Sequence, residues 1–270
     1  INMPYQKIED VRGDILLAGC GTGQMALGFA SALPNCNFTA IDISRASLAY
    51  AARMARAHNV KNIEFEQIDI LQTHTLGKKF DYIECSGVLH HMEDPEAGWR
   101  SLTSCLAQGG GMQIALYSAK TRGSIDKVKA YIKEKGYRPV RADIRKLRAD
   151  IAAMPAESEL RDIMTMRDFY SVSMARDLVF HIQEAAYDLP TIAGMMDRLG
   201  LSFDGFKIHD GVKAAYRARF RDDPAMTNLD NWHVFETENP ETFTGMYKIF
   251  CHQKGETVAD LVKHIREIQA

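Results

Sequence analysis

A glycine loop that directly follows a short apolar segment constrains this chain more than any other feature. Residues 14–18 are apolar after Asp14, as expected for a strand that is buried on both faces of a parallel sheet. The loop Gly19-Cys20-Gly21-Thr22-Gly23 comes next. Because glycine has no Cβ and tolerates positive φ, such a loop lets the backbone come close to a bound ligand. Its spacing is G-x-G-x-G, whereas the dinucleotide fingerprint G-x-G-x-x-G needs a glycine where Gln24 stands.

The first 118 residues alternate between strand-like and helix-like segments, a pattern typical of a parallel sheet with crossover helices. After the first strand, this pattern predicts four more strands, at residues 38–41, 63–68, 80–85 and 112–117, with Gly109 to Gly111 ending the connection before the fifth. Residues 119–187 are rich in charged and helix-forming side chains and predict a helical insertion above the sheet. Residues 188–254 predict the last two strands with a smaller insertion at 211–243, and residues 255–270 predict a C-terminal helix.

Acidic residues end the second and third predicted strands. Asp42 stands where one carboxylate could bind both hydroxyls of a ribose, and Asp69 stands where an adenine amine would lie, with Ile70 as an apolar face for the ring. Each feature alone has a simpler explanation: the glycine loop as a tight turn, Asp42 as a helix cap, and Asp69 as a solvated strand end. Because all of them fall at the same edge of the sheet, the combination favours a nucleoside-binding site.

These residues resemble the class I S-adenosylmethionine (SAM) dependent methyltransferases. The resemblance lies in residues 15–23, in Ile41-Asp42-Ile43-Ser44, in Asp69-Ile70, and in Ser86-Gly87-Val88-Leu89-His90-His91. It implies an α/β, Rossmann-like fold with a seven-stranded, mostly parallel sheet in the order 3-2-1-4-5-7-6, the seventh strand being antiparallel. It also implies SAM as the cofactor, S-adenosyl-L-homocysteine (SAH) as its product, and no metal. The cofactor-binding residues expected from it are Gly19, Cys20, Gly21, Gly23, Asp42, Ile43, Asp69, Ile70 and Ser86.

More closely, the chain resembles a bacterial methyltransferase module that is often found behind tetratricopeptide repeats. This likeness lies in residues 94–100, 180–184 and 235–240, and it implies an N-terminal tetratricopeptide region in the full-length protein. Because the first residue is Ile1 rather than Met, we expect the chain to be a fragment of a longer polypeptide. One departure from the family is Leu17, which replaces the usual Asp or Glu that serves the methionine end of SAM. A backbone carbonyl, of Ala18 or Gly19, is then expected to make that contact.

Candidate catalytic residues follow the fourth and fifth strands. His90 and His91 lie at the edge where an acceptor would meet the methyl group, and a histidine titrates near neutrality, so it can deprotonate a hydroxyl or orient an amine. Tyr117 ends the fifth strand on the same edge and can hydrogen-bond an acceptor. The alternatives are that the histidines only cap the loop before Asp94 and that Tyr117 only packs.

Candidate substrate contacts lie in the insertion, at His181, Gln183 and Glu184, with a solvated helix face as the alternative. Residues 127–148 contain nine Lys or Arg and two acids, which suits an acidic substrate, a protein partner or RNA, or simply a solvated surface. The net charge of −2 provides no general attraction to nucleic acid, which is therefore a disfavoured but open partner.

Cysteine spacing and hydropathy predict the compartment. The five cysteines form no C-x-x-C pair and no zinc-site spacing, as expected for reduced thiols. No apolar run approaches the roughly 18 residues that span a bilayer. We therefore expect a cytoplasmic protein without a membrane partner.

Three classes of function remain open at the level of the sequence. The first is an enzyme that transfers methyl from SAM to an oxygen or nitrogen of a small molecule or of a protein side chain, with the insertions forming a lid over the acceptor. The second, motivated by Leu17, is a SAM-binding or scaffold module without turnover. The third is a nicotinamide oxidoreductase, which survives only because nicotinamide sites also use an acid at the position of Asp42.

Overall fold

The computed structural model describes residues 11–180, 184–243 and 245–269, in which a twisted sheet carries helices on both faces. The strands are β1 (Asp14–Ala18), β2 (Asn37–Asp42), β3 (Ile63–Gln67), β4 (Phe80–Ser86), β5 (Leu106–Ser118), β6 (Ala186–Tyr187), β7 (Leu201–Phe206) and β8 (Met246–Gln253). Their order is β3-β2-β1-β4-β5-β8-β7, with β8 antiparallel to both of its neighbours. This confirms the predicted order, because β7 and β8 are the sixth and seventh strands of the prediction.

One short strand was not predicted. β6 has only two residues, which pair in parallel with Tyr117 and Ser118 at the end of β5. Two residues are too few to produce an alternating pattern in the sequence, so such a strand is defined only by its partner. The sheet therefore has eight strands rather than the seven predicted.

Ten α-helices occur in the described part of the chain. They are α1 (Gln24–Ala32), α2 (Arg45–Ala57), α3 (Pro95–Ser104), α4 (Gly123–Lys135), α5 (Arg141–Ala152), α6 (Val172–Val179), α7 (Leu189–Arg198), α8 (Asp210–Arg219), α9 (Leu229–Glu238) and α10 (Asp260–Gln269). Side-chain caps fix several starts: the Asp94 carboxylate accepts the Ala97 N–H at 2.9 Å, with Pro95 as the first helical residue of α3. Within these ranges no helix is long and apolar enough to cross a membrane.

The fifth strand is longer than predicted and includes the glycines that were expected to end the connection before it. β5 starts at Leu106, and its pairing with β4 shifts where Phe80 opposes Leu106 but Tyr82 opposes Gly111. A Cβ at Gly110 would lie 2.9 Å from the Ala107 carbonyl oxygen. The glycines are therefore part of an irregular strand whose backbone passes too close to its neighbours for side chains.

The core has two layers, one on each face of the sheet, because successive strand residues point to opposite sides. On one face Leu16 packs in a cluster that includes Trp99 of α3 and Met196 of α7. On the other face Leu17 packs with residues of α1 and α10, among them Ala26. The two layers leave the carboxyl ends of β1 to β5 at one edge, where the predicted site residues gather.

The first insertion is helical, as predicted, and has a core of its own. Helices α4, α5 and α6 with two 3₁₀ turns bury Ile125, Val128, Ile132, Leu147, Ile151, Ile163, Phe169, Leu178 and Val179 together. This core is separate from the two layers on the faces of the sheet. The role of the insertion as an acceptor lid stays a prediction.

Candidate functional site

The glycine loop follows β1 and is tied to the end of β2. Gly19, Gly21 and Gly23 have φ values of +72°, +55° and +82°, a region that is costly for residues with a Cβ. The N–H groups of Gly19 and Cys20 donate to the Ile41 carbonyl at 2.8 and 3.0 Å. The loop is therefore held against β2 before α1 begins.

The three glycines differ in how much space surrounds them. A Cβ at Gly19 would lie 2.2 Å from Cγ2 of Val88, and a Cβ at Gly23 would lie 2.6 Å from Cβ of Ala51. At Gly21 an added Cβ would meet no atom within 4 Å. Gly19 and Gly23 are thus required for close packing of the loop, whereas Gly21 faces an open cavity.

The Asp42 carboxylate, at the end of β2, links the loop to the next turn. Its Oδ2 accepts the Gly21 N–H at 2.8 Å, and its Oδ1 accepts the Ser44 N–H at 2.7 Å. A carboxylate oxygen has two acceptor positions, so both oxygens keep capacity for a ligand hydroxyl. Asp42 therefore holds the glycine loop in place and presents a partly exposed negative charge to the cavity.

The end of β3 supplies a second carboxylate and apolar surface. Oδ1 of Asp69 accepts the Leu71 N–H at 2.9 Å and so begins the 3₁₀ helix Ile70–Leu76. Ile70 is nearly buried, whereas Ile43, after β2, is 70% exposed. An exposed isoleucine at the wall of a cavity is available to cover the face of a flat ring.

A cavity of about 980 Å³ joins these groups to the end of β4. That volume is at the upper end of the roughly 300–1,000 Å³ that is usual for small-molecule sites. Its lining residues are Gly19, Gly21, Asp42, Ile43, Ser44, Ser47, Ile68, Asp69, Ile70, Leu71, Gly87, Val88, His91, Met92, Glu93 and Tyr117. Six of the nine predicted cofactor residues are in this set, and Cys20, Gly23 and Ser86 are not.

Eight of the lining residues are not among the site residues that were expected from the sequence. They are Ser44, Ser47, Ile68, Leu71, Gly87, Val88, Met92 and Glu93. Four of these eight, Ser44, Ile68, Gly87 and Val88, lie within three residues of a strand end in the chain. A search that included every residue near the strand ends would have found those four.

The Cys20 thiol lies in the loop but adds no charge to it. Burial, followed by the nearby Asp42 carboxylate, raises the pKa of Cys20 to about 12. A thiol with this pKa stays protonated at neutral pH, so it is neither a nucleophile nor a competing anion there.

The two neighbouring histidines have different surroundings. Both lie in the 3₁₀ turn Leu89–His91 after β4. His91 lines the cavity, whereas His90 is fully buried and packs on Tyr117, with 3.8 Å between the ring centroids. Of the pair, His91 is the residue that can meet a bound acceptor.

Tyr117, at the end of β5, lines the cavity, and its ring contacts Arg122. The guanidinium carbon of Arg122 lies 3.8 Å from the centre of the Tyr117 ring. Burial raises the pKa of Tyr117, the Glu184 carboxylate acts in the same sense, and Arg122 opposes both. The phenol therefore stays protonated near neutral pH, so it can donate a hydrogen bond but is not ionised as a base.

Glu184, predicted as a substrate contact, is engaged by two cations. Its Oε2 binds the Arg122 guanidinium, both side chains being 4% exposed, and lies 2.5 Å from the Lys129 ammonium. Glu184 thus fixes the arginine that supports Tyr117. His181 and Gln183 lie outside the described residues, and all three substrate assignments stay predictions.

Replacing Arg122 with methionine is expected to lower the free energy of unfolding by about 3 kcal/mol, because it removes one partner of a buried ion pair. Lys129→Met is the matched control: Lys129 contacts the same oxygen but is 25% exposed, so its loss is expected to cost about 1 kcal/mol. Urea unfolding of both variants measures the difference. Equal losses in the two variants would contradict a buried role for Arg122.

Comparison with known proteins identifies the family. The model of a family described as "Methyltransferase domain" matches residues 16–112. An uncharacterized protein of Synechococcus sp. is 32% identical over 247 residues, which are 85% of this chain and 58% of that protein. A release factor glutamine methyltransferase of Flavobacterium psychrophilum is 42% identical over 82 residues, 30% of this chain and 28% of that protein.

The fold is shared with a solved bacterial structure. PKMT2 from Rickettsia typhi has a TM-score of 0.72 at 14% identity, covering 97% of this chain and 54% of that one. Its complex with AdoHcy has a TM-score of 0.69 at 14% identity, covering 94% and 51%. The chain thus spans little more than half the length of these proteins and of the Synechococcus relative. The family match over residues 16–112, together with the sheet order, shows that this chain carries a class I SAM-dependent methyltransferase domain.

Proposed function

We propose that this chain transfers the methyl group of SAM to a nitrogen or oxygen of a small molecule or of a protein side chain. The observation that carries the proposal is one continuous cavity, which runs from the Asp42 and Asp69 carboxylates to the imidazole of His91 and the phenol of Tyr117. Such a cavity can hold an adenosine at one end and an acceptor at the other.

The residues at the first end fit SAM. Gly21 leaves open space where any side chain would intrude, and the partly exposed Asp42 carboxylate has the acceptor capacity for two ribose hydroxyls. Asp69 and the exposed Ile43 suit the amine and the face of an adenine. When bound there, SAM supplies a methyl group activated by its sulfonium.

For methyl transfer, the protein has to align the acceptor and take up its proton. An in-line displacement gains most from fixed orientation, so a cavity wall held by packing is an advantage. Tyr117, whose ring contacts both His90 and Arg122, provides such a wall and a hydroxyl for the acceptor. His91 Nδ1 or Nε2 accepts the acceptor's proton.

The charges of the lining favour an amine over an anionic acceptor. The described lining residues include three carboxylates, Asp42, Asp69 and Glu93, and no Lys or Arg. A negative cavity attracts a protonated amine and repels a carboxylate or phosphate. The match to the release factor glutamine methyltransferase covers only 30% of this chain, so it does not assign that enzyme's acceptor to this chain.

Replacing His91 with alanine is expected to lower kcat by about 100-fold and to leave the Kd for SAH within about twofold. The reason is that His91 accepts the proton of the methyl acceptor and does not hold the cofactor. His74→Ala is the control, since His74 is exposed and lies outside the cavity lining. Turnover is measured as SAH release with amine and hydroxyl acceptors, and affinity by calorimetry. Unchanged turnover in His91→Ala contradicts the role of His91.

A second candidate is a module that binds SAM without turnover. Leu17 favours it, because this side chain is 2% exposed in the core and brings no charge to the methionine end of the cofactor. SAH release with any acceptor excludes this candidate. The tetratricopeptide region stays a prediction about the longer protein.

A further inference from the structure

We propose that Ser86 and Glu84 of β4 bind the amino group at the methionine end of SAM, in place of the acid that this family carries at position 17. Ser86 makes the contact, and Glu84 supplies the negative charge behind it. The inference rests on cofactor binding in the proposed function, and it does not depend on methyl transfer.

The register of the sheet brings an acid next to Leu17. Leu17 on β1 is paired with Glu84 on β4 in a parallel ladder. Paired residues of neighbouring parallel strands project to the same face of the sheet, and the strands lie about 4.8 Å apart. The Glu84 carboxylate is therefore one strand away from the position of the missing acid, on the same face.

Glu84 is fixed by hydrogen bonds that also orient Ser86. Glu84 is 1% exposed, and its Oε1 accepts the Ser86 hydroxyl and the Gln113 amide N–H, both at 2.6 Å. The Ser86 hydrogen is thus directed at Glu84, so the Ser86 oxygen can only accept further hydrogen bonds. Gln113 approaches that oxygen at 3.5 Å, a long contact that leaves room for a stronger donor.

The position of Ser86 matches the expected end of the cofactor. Ser86 is partly exposed and directly precedes Gly87 and Val88, which line the cavity. The sheet order β3-β2-β1-β4 places Asp69, Asp42, the glycine loop and Ser86 in that sequence along one edge. An adenosine held at β3 and β2 therefore directs the remainder of the molecule across β1 towards β4.

An ammonium group suits this arrangement better than a neutral one. Each of its N–H groups donates and none accepts, which matches a hydroxyl oxygen whose own hydrogen is already committed. A carboxylate hydrogen-bonded to that hydroxyl strengthens the interaction, because a bond to a charged group in a buried site is stronger than a neutral one. Ser86 and Glu84 would not contribute to binding of the adenosine end of SAM.

The test compares two ligands that differ at the methionine end. SAH carries the amino acid group, and 5′-methylthioadenosine carries the same nucleoside and thioether without it. In Glu84→Gln and in Ser86→Ala we expect the Kd for SAH to rise about 10-fold and the Kd for 5′-methylthioadenosine to stay within about twofold. Ser118→Ala is the matched control, because it removes another buried serine–glutamate bond, to Glu236, and should change neither Kd.

Each result of the titrations decides the question. An unchanged SAH affinity, or an equal weakening of both ligands, overturns the proposal. If Glu84→Gln does not fold, Ser86→Ala carries the same comparison, since it removes only a partly exposed hydroxyl. A wild-type chain that binds both ligands equally contradicts this site alone, whereas one that binds neither contradicts the proposed function as well.

Discussion

Replacing Asp42 with alanine is expected to weaken SAH binding by about 100-fold, roughly 2.7 kcal/mol, while the sheet stays folded. The carboxylate accepts the N–H groups of Gly21 and Ser44, so its loss frees the glycine loop as well as removing the proposed ribose contacts. Asn at this position keeps the shape but has a single acceptor oxygen, so Asp42→Asn is expected to lose nearly as much affinity. Isothermal titration of SAH measures both variants.

Asp94→Ala is the matched control for this effect. Asp94 also accepts a backbone N–H at a helix start, that of Ala97, but it lies outside the cavity lining. Its replacement is expected to cost about 1 kcal/mol of stability and to leave SAH affinity unchanged. If Asp42→Ala bound SAH as tightly as Asp94→Ala does, Asp42 would not be part of the cofactor site.

Gly19→Ala is expected to lose about 3 kcal/mol in the free energy of unfolding and to lose SAH binding as well. Two costs add: about 1 kcal/mol for a side chain at φ +72°, and the displacement of Val88, whose Cγ2 lies 2.2 Å from the position of the new Cβ. Moving Val88 also distorts the wall of the cavity.

Gly77→Ala separates these two costs. Gly77 has φ +61°, an added Cβ there would meet no atom within 4 Å, and it lies outside the cavity lining. It is expected to lose about 1 kcal/mol and to bind SAH normally. Denaturant unfolding of the two variants measures the contribution of crowding, and equal losses would contradict a tightly packed loop at Gly19.

The meeting of the glycine loop, Asp42 and Asp69 at one edge of the sheet was predictable from the sequence. The glycine loop, Asp42 and Asp69 lie at the ends of the first three strands, and each motif is short and local. The parallel topology then brings these ends to one edge. The predicted sheet order is confirmed for the same reason, since alternating strands and helices leave few arrangements.

The surroundings of His91 and Tyr117 were less predictable because they depend on side-chain orientation and on contacts between residues that are distant in the chain. His90 and His91 are neighbours in the sequence, but successive residues of a 3₁₀ turn point about 120° apart, so only one of them faces the cavity. Glu184 meets Arg122 across 62 positions of the chain. No local pattern predicts such a pair.

The sheet register is a further feature that the pattern of residues does not reveal. Glu84 is one of two acids in β4, and only its pairing with Leu17 shows that it lies next to the position of the missing family acid. The glycines at the start of β5 were likewise assigned to a connection because glycine usually ends an element. Their place in the strand becomes clear from the atoms that surround them.

Titration calorimetry of the wild-type chain with SAH and, separately, with NAD tests most directly whether this cavity binds SAM. We expect saturable binding of one SAH per chain and no heat of binding with NAD. Binding of NAD without binding of SAH would contradict this expectation, since the Asp42 carboxylate and the glycine loop would then serve a dinucleotide.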